Sequence, residues 1–419
     1  MRTSVLSQNL GGSEILNLNT KVNELTQKGH KIFNLTIGDF DSKIFPIPEL
    51  LKNTVINAYQ LGHTNYPSAP GEPSLRKTIS SFLIQSGGPE FSENQILVAS
   101  GARPLIYAFY KTILDPGDTV LFPVPSWNND AYSYLNRSCT VLVPTHPKNN
   151  FMPTARELSP QLSKASLLVL CSPLNPGGTV FETAQLEEIC DLILAENRQR
   201  LSEKKKPLYL LYDSIYWQLT FGGKKFVHPV LIRPEMTDFM ISIDGISKAY
   251  AATGLRVGWA YGQEDVVRKM AALLTHIGAW APKPEQIGTA EFLSQFDEVQ
   301  KFLDHHKSKV LKRLNAFYHA FKQLKSEGFQ VDAIQPEGAL YLSVNLELKN
   351  KITALGKKLD SARAVADWLL EEVSVALVPF YAFGTDEDLF WFRLSVGRVN
   401  TEEIPFIIES LRNGLSQLK

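Results

Sequence analysis

Between about residue 90 and residue 260, short apolar runs alternate with segments whose apolar residues recur every three or four positions. The runs at 96–99, 120–122, 167–171, 208–212 and 239–243 have the length of strands. Leu167-Leu168-Val169-Leu170-Cys171 is apolar throughout, as expected of a strand covered on both faces. A helix carrying Leu105, Ile106, Phe109 and Ile113 follows the first run, and another covers 184–197. This alternation predicts a doubly wound, mainly parallel sheet, an α/β fold.

The flanking pattern is different. An arm over the first 20 or so residues leads into a helix over 14–28, with Ile15, Leu16, Val22 and Leu25 in loose helical spacing and Gly29 as its stop. A strand over 31–37 breaks at Gly38-Asp39, a proline-rich loop fills 44–48, and a helix covers 48–61. Prolines and glycine keep 66–73 irregular, before a helix with Leu75, Ile79 and Leu83 on one face. After 260 the pattern predicts helices interrupted at Gly278 and 282–284, then a long linking helix over 297–327. Strands at 331–334, 339–344, 375–379 and 390–396 then mix with helices at 361–372 and 401–415, an α+β pattern. The expected division is a large domain over 48–300 and a small domain made of 1–47 together with 301–419.

Composition narrows the partners. The 419 residues carry 43 basic and 43 acidic side chains, net +0, so no basic field points to nucleic acid or an anionic membrane. The three cysteines, Cys139, Cys171 and Cys190, are scattered, make no metal-ligand spacing and suit a reducing compartment. No apolar signal core or bilayer-length stretch is present, so a cytoplasmic protein is expected. The run 198–206 is highly charged and reads as a solvated loop or helix end.

The candidate chemistry sits at the ends of the runs. Lys248 follows the run 239–243, among small and hydroxylic residues, and Arg256 stands eight positions later. A lysine in a buried setting can form an imine with an aldehyde cofactor, and an arginine one loop away can hold a phosphate. Together they outline a pyridoxal phosphate (PLP) site. Ser100-Gly101-Ala102-Arg103 turns a strand into a helix whose first N–H groups can bind an anion. Trp127, at a strand end, either stacks on a planar cofactor or packs in the core. Asn175 is a polar group between prolines, with Ser172 to Thr179 forming a loop at a strand end. Asp213 closes another run. It either caps a helix or pairs with a protonated pyridine nitrogen, because a carboxylate buried there needs a partner. Tyr66 by itself reads as a loop tyrosine.

Asn175-Pro176, Asp213 with Tyr216, Ser247-Lys248 and Arg256 occur in that order, each after its own strand. In this the chain resembles the fold-type I PLP-dependent aminotransferases, class I/II, of the aspartate aminotransferase superfamily. The resemblance covers nearly the whole chain, including Asn34 to Asp39, Tyr66 to Gly71, Asp115 to Gly117, Pro336 to Tyr341 and Arg393-Leu394-Ser395. It implies that Lys248 forms the internal aldimine and then moves the substrate proton. It implies that Asp213 pairs with the pyridine nitrogen, and that Asn175 and Tyr216 bond the phenolic oxygen. Arg256, Ser247 and the backbone of Gly101, Ala102 and Arg103 would bind the phosphate, with Trp127 stacked on the ring. Arg393, helped by the backbone near Gly38, would take the α-carboxylate. Tyr66 would reach the neighbouring subunit's phosphate, so a homodimer with shared active sites is implied. The implied reaction moves an amino group between an α-amino acid and a 2-oxo acid such as 2-oxoglutarate; a PLP-dependent carbon–sulfur β-lyase on the same fold is the alternative. Arg103 either reads a distal carboxylate, favouring aspartate or glutamate, or supports the phosphate. Trp127, Tyr250, Trp280 and Phe380 either wall a pocket for aromatic substrates or, for Tyr250 and Trp280, simply belong to the core. Gly245 stands where relatives often carry a hydroxyl, which leaves one phosphate ligand missing.

Overall fold

The computed structural model describes residues 3–8, 10, 12 and 14–419, so part of the expected N-terminal arm lies outside the described residues. Seven strands form the larger sheet, in the spatial order Ile96–Ala99, Gly258–Gly262, Met240–Gly245, Tyr209–Asp213, Leu167–Cys171, Thr119–Val124, Cys139–Pro144. The last five strands in that order pair in parallel, and Gly258–Gly262 runs antiparallel to its two neighbours. Helices such as Ala102–Ile113 and Thr183–Ser202 cover the sheet, and their apolar faces fill the clusters on its two sides. The expected mainly parallel α/β sheet is therefore present.

The strand Gly258–Gly262 was not expected, because its terminal glycines read as turns. They permit close approach: a Cβ on Gly258 would lie 2.6 Å from the carbonyl carbon of Gly101. The edge strand Cys139–Pro144 and the helices Asn129–Asn136 and Ala155–Leu162 were also not anticipated.

A second, antiparallel sheet takes Val378–Pro379, Trp391–Ser395, Tyr341–Leu346 and Val331–Ala333 in that order. The expected strand over 375–379 divides at Leu377. Its first half, Val375–Ala376, pairs in parallel with Phe33–Asn34, and its second half joins the four-stranded sheet. Only Phe33–Asn34 of the expected strand 31–37 pairs as a strand. Beyond it the chain wedges between two elements, with Leu35 N–H bonded to Ala376 and its carbonyl to Ser395. The helix Phe296–Ser326 spans roughly 45 Å. Val299 and Leu303 at its start pack beside the larger sheet, and Val310 to Leu324 pack under the smaller one.

The charge run forms a helix end, one of its two expected readings, but it is not wholly solvated. Its helix continues to Ser202, and Arg200 is buried, bonded to Glu196 at 2.6 Å and to the carbonyls of Leu162 and Ser163.

Candidate active site

Parallel strands hidden on both faces leave their carboxyl ends as the place where polar groups can reach solvent. A cavity of about 420 Å³ opens there. Asn175, Asp213, Ser247, Lys248, Arg103 and Trp127 line one side, and Gly38, Asp39, Tyr341 and Arg393 line the other. Ile15, Leu16 and Asn19 of the helix Glu14–Gln27 close the mouth.

Lys248 lies in the short helix Ile246–Ala249, and its Nζ donates to the Gly38 carbonyl at 2.7 Å. The amine is 6.0 Å from the centre of the Tyr216 ring. Burial lowers its pKa to about 8; the Asp39 charge opposes that shift, and Arg393, Arg103 and Arg256 add to it. Asp213 accepts one bond, from Ile215 N–H at 3.2 Å, and its second oxygen has no partner among the described residues. Burial raises this carboxyl to about 6, against the Ile215 N–H and the Lys248 charge.

Arg393 sits mid-strand and buried. It donates to Asn175 Oδ1 at 2.9 Å and to the Thr36 carbonyl at 2.6 Å. Its guanidinium lies between the rings of Tyr341 and Phe383, at 4.6 and 5.0 Å. Its Nε is buried without a partner among the described residues. The Tyr216 and Tyr341 hydroxyls meet at 2.8 Å, and burial raises both above the usual tyrosine range, so they remain protonated.

The third wall suits an anion. Gly101 precedes the helix Ala102–Ile113 with no side-chain cap, so the first N–H groups are free. Arg256 has left-handed backbone geometry, φ 57°, held by bonds from its guanidinium to Thr253 O at 2.7 Å and Ser100 O at 3.1 Å. Its guanidinium occupies the space a Cβ on Gly101 would need. Arg103 stacks on Trp127, 4.7 Å from the ring centre.

The structure therefore gathers Lys248, Asp213, Tyr216, Asn175, Ser247, Arg256, Ala102, Arg103, Trp127, Arg393 and Gly38 around one cavity, with Gly101 behind Arg256. Tyr66 stands outside it, exposed, with its ring against Trp280 at 5.4 Å. The expected aromatic walls are corrected. Tyr250 and Phe380 are core residues, Trp280 packs on Tyr66, and only Trp127 of that set lines the cavity. Gly245 is also reinterpreted: a Cβ there would lie 2.8 Å from Gly258 Cα and from Val257 O, so the position has no room for a hydroxylic side chain. Tyr341 and Asp39 belong to the site but received no role from the sequence. They lie in stretches that carried the resemblance, and nothing local distinguishes a strand tyrosine or a loop aspartate.

The family Aminotransferase class I and II matches residues 30–411. An aspartate aminotransferase of Rhizobium meliloti is 28% identical over 398 residues, covering 94% of this chain and 91% of its own. A probable aspartate/prephenate aminotransferase of Aquifex aeolicus is 25% identical, covering 92% of each. Among solved structures, the Rhizobium meliloti aspartate aminotransferase superposes with a TM-score of 0.91 at 25% identity, covering 100% of each chain. The Thermus thermophilus aspartate aminotransferase with maleate gives 0.86 at 25% identity, covering 99% of this chain and 100% of that one.

Proposed function

Because the chain belongs to the class I and II aminotransferases, a family of PLP-dependent enzymes, we propose that the cavity around Lys248 is where it transfers amino groups. The residues fit that cofactor. An amine, an unpaired carboxylate oxygen and an arginine at an uncapped helix start face one space, and the glycine at 101 leaves the arginine its place. When bound, PLP supplies an aldehyde for the amine and a ring that accepts the electrons released at the substrate Cα.

The chain's own groups do the rest. Arg256, Ser247 and the N–H groups at the start of the helix Ala102–Ile113 would hold the phosphate. Asp213 would keep the ring nitrogen protonated, which gives its free oxygen a partner and relieves its burial. Asn175 and Tyr216 would bond the phenolic oxygen, and Trp127 would cover the ring face. Arg393 would grip the α-carboxylate with its planar fork, between Tyr341 and Phe383. Lys248, lowered to about 8, can hold or release a proton near neutral pH, as a general base for the Cα proton requires.

The amino donor and acceptor are an α-amino acid and a 2-oxo acid, and we assign 2-oxoglutarate as an acceptor. Among the described residues, Arg103 is the guanidinium in the cavity that this scheme leaves without an assigned anion, which supports an acidic donor, aspartate or glutamate. The Thermus relative solved with maleate, a dicarboxylate, points the same way. Trp127, Ile15, Leu16 and Ile106 also leave an apolar wall that suits a larger, aromatic side chain. No observation favours the carbon–sulfur lyase.

We assign residues 48–300 to the large PLP-binding domain, and 1–47 with 301–419 to the small one. The exposed Tyr66, beside exposed Tyr59 and Leu61, supports a homodimer in which Tyr66 reaches the partner's phosphate. We place the protein in the cytoplasm; its three free cysteines fit a reducing compartment. Among the described residues no helix is long and apolar enough to cross a membrane, and no acid–His–Cys group could hold a metal.

The juxtaposition of Lys248, Asp213 and Arg393 carries the reading, and Lys248→Ala tests it. This variant should lose the cofactor fixed to the chain by borohydride and at least about 10²–10⁴-fold of turnover with 2-oxoglutarate. Retention of both would refute it. An amino-donor screen on Arg103→Ala tests the acidic preference: aspartate and glutamate should fall in rank.

A further inference from the structure

Four cations and two carboxylates face one another in the cavity: Lys248, Arg103, Arg256 and Arg393 against Asp39 and Asp213. The proposed reaction employs each of them except Asp39. Yet Asp39 is firmly held, its Oδ1 accepting Phe40 N–H at 2.8 Å and the Thr253 hydroxyl at 2.9 Å. Thr253 also gives its carbonyl to Arg256. The residue before Asp39 gives its carbonyl to Lys248 Nζ. One aspartate is thus tied through Thr253 to the arginine loop and through its own backbone to the lysine. Its second oxygen has no partner among the described residues.

We propose that Asp39 is a positioning residue, the counter-charge of the Lys248 amine, and that it sets the pH at which this lysine becomes a free base. The proposal rests on the reading of Lys248 as the reacting amine. Without Asp39 an ammonium at Lys248 would face burial and three guanidinium charges. Asp213, the other carboxylate lining the cavity among the described residues, also attracts the Lys248 ammonium when no cofactor is bound, but burial raises it to about 6, so it carries its charge only above that pH. Tyr216 and Tyr341 remain protonated and contribute no charge. His306 abuts the Lys248 backbone from the long helix, and burial lowers it to about 4, so it is neutral near pH 7. Asp39 is the charge that most favours the protonated amine. Its removal leaves the depressing influences opposed by Asp213 alone, and the free base forms at lower pH.

The test uses the full chain freed of cofactor. Trace acetylation with acetic anhydride from pH 5 to 10, read by mass spectrometry against exposed lysines, gives the midpoint of Lys248 itself. Asp39→Asn keeps the shape and the acceptor for Phe40 N–H and Thr253, and should lower the midpoint by about one unit. Lys248 labelling at pH 7 should then rise roughly fivefold. Asp39→Glu should hold the midpoint within a few tenths. Thr253→Val, which leaves the charge but frees it, should shift the midpoint in the same direction by less. An unchanged or raised midpoint in Asp39→Asn, with an unchanged urea transition, overturns the proposal. Should Asp39→Asn fail to fold, an unshifted Thr253→Val overturns it. Failure of the reaction reading shows separately, as turnover surviving in Lys248→Ala.

Discussion

Placing serine at Gly245 restores the hydroxyl that many relatives carry near the phosphate. By composition alone it should tighten cofactor binding, since a hydrogen bond to a charged group contributes roughly 1.5–3 kcal/mol. The structure predicts the reverse. The new Cβ would stand 2.8 Å from Gly258 Cα and Val257 O, where ordinary contact begins at 3.4 Å. Backbone atoms cannot swing aside, so the paired strands at Gly245 and Gly258 must part by about 0.6 Å, the difference between those contacts. Gly258 has no free space to retreat into, because it already lies against Gly101 and Ala102. The displacement therefore reaches the start of the helix Ala102–Ile113, the wall assigned to the phosphate. Overpacking of this kind costs about 1–3 kcal/mol, and because the phosphate wall is itself displaced, the hydroxyl does not gain its bond to offset that cost. Gly245→Ser should raise the apparent Kd for PLP about tenfold, equivalent to about 1.4 kcal/mol, in a fluorescence titration of the cofactor-free chain. Gly245→Ala, with the Cβ but no hydroxyl, should bind at least as weakly. Tighter binding by the serine variant, a neutral alanine variant and unchanged urea midpoints would together refute the reasoning.

Other consequences concern the charges. The Asp213 carboxyl is raised to about 6 from an ordinary 3.8, so its favourable contribution is full below about pH 4 and is lost as pH rises through 6. Asp213→Asn should therefore stabilise the cofactor-free chain by about 3 kcal/mol at pH 7.5 and by nothing at pH 3.5. Urea transitions at the two pH values check this, and a gain of equal size at both would contradict it. The same variant should weaken the cofactor-bound enzyme, because the ring nitrogen loses its carboxylate. Arg393→Lys loses the fork and the flat face between Tyr341 and Phe383, and should raise KM for the amino donor roughly 10–100-fold in steady-state assays. Tyr341→Phe removes the partner of the Tyr216 hydroxyl and should cost about 1 kcal/mol of stability by urea titration, with less than a tenfold change in kcat. Mixing Tyr66→Ala with Lys248→Ala chains should restore part of the activity. No recovery despite demonstrated subunit exchange would count against shared sites.

The legible parts of the molecule were those in which burial writes itself into a local pattern. Leu167–Cys171 and Tyr209–Asp213 are covered on both faces, so they read as unbroken apolar runs, and the polar residue ending each stood out. Asn175, Asp213 and Lys248 were found in this way. Gly258–Gly262 was hidden because its ends are glycine for reasons that lie in other segments, the backbone of Gly101–Ala102 for Gly258 and that of Met240–Ile241 for Gly262. Gly245 looked like a lost ligand until its partner across the sheet was known. Phe380 was misplaced, and Tyr250 was left between core and wall, because an aromatic residue in a core and one on a cavity wall have the same local sequence. Asp39 gave no signal either, since its meaning depends on Thr253 and on Lys248, far along the chain.

The bond from Arg393 to the Thr36 carbonyl spans 357 residues of chain, and Phe33–Asn34 waits nearly as long for Val375–Ala376. At about 5–20 residues per second, the early segment leaves the ribosome roughly 20–70 s before its partners exist. The strands of the larger sheet are complete at Gly262 and helices that cover it by Ser294, so it can form in the interval. The phosphate wall would thus be assembled on a nascent chain that still lacks its carboxylate-binding arginine. Cofactor capture and substrate recognition would arise in that order during synthesis.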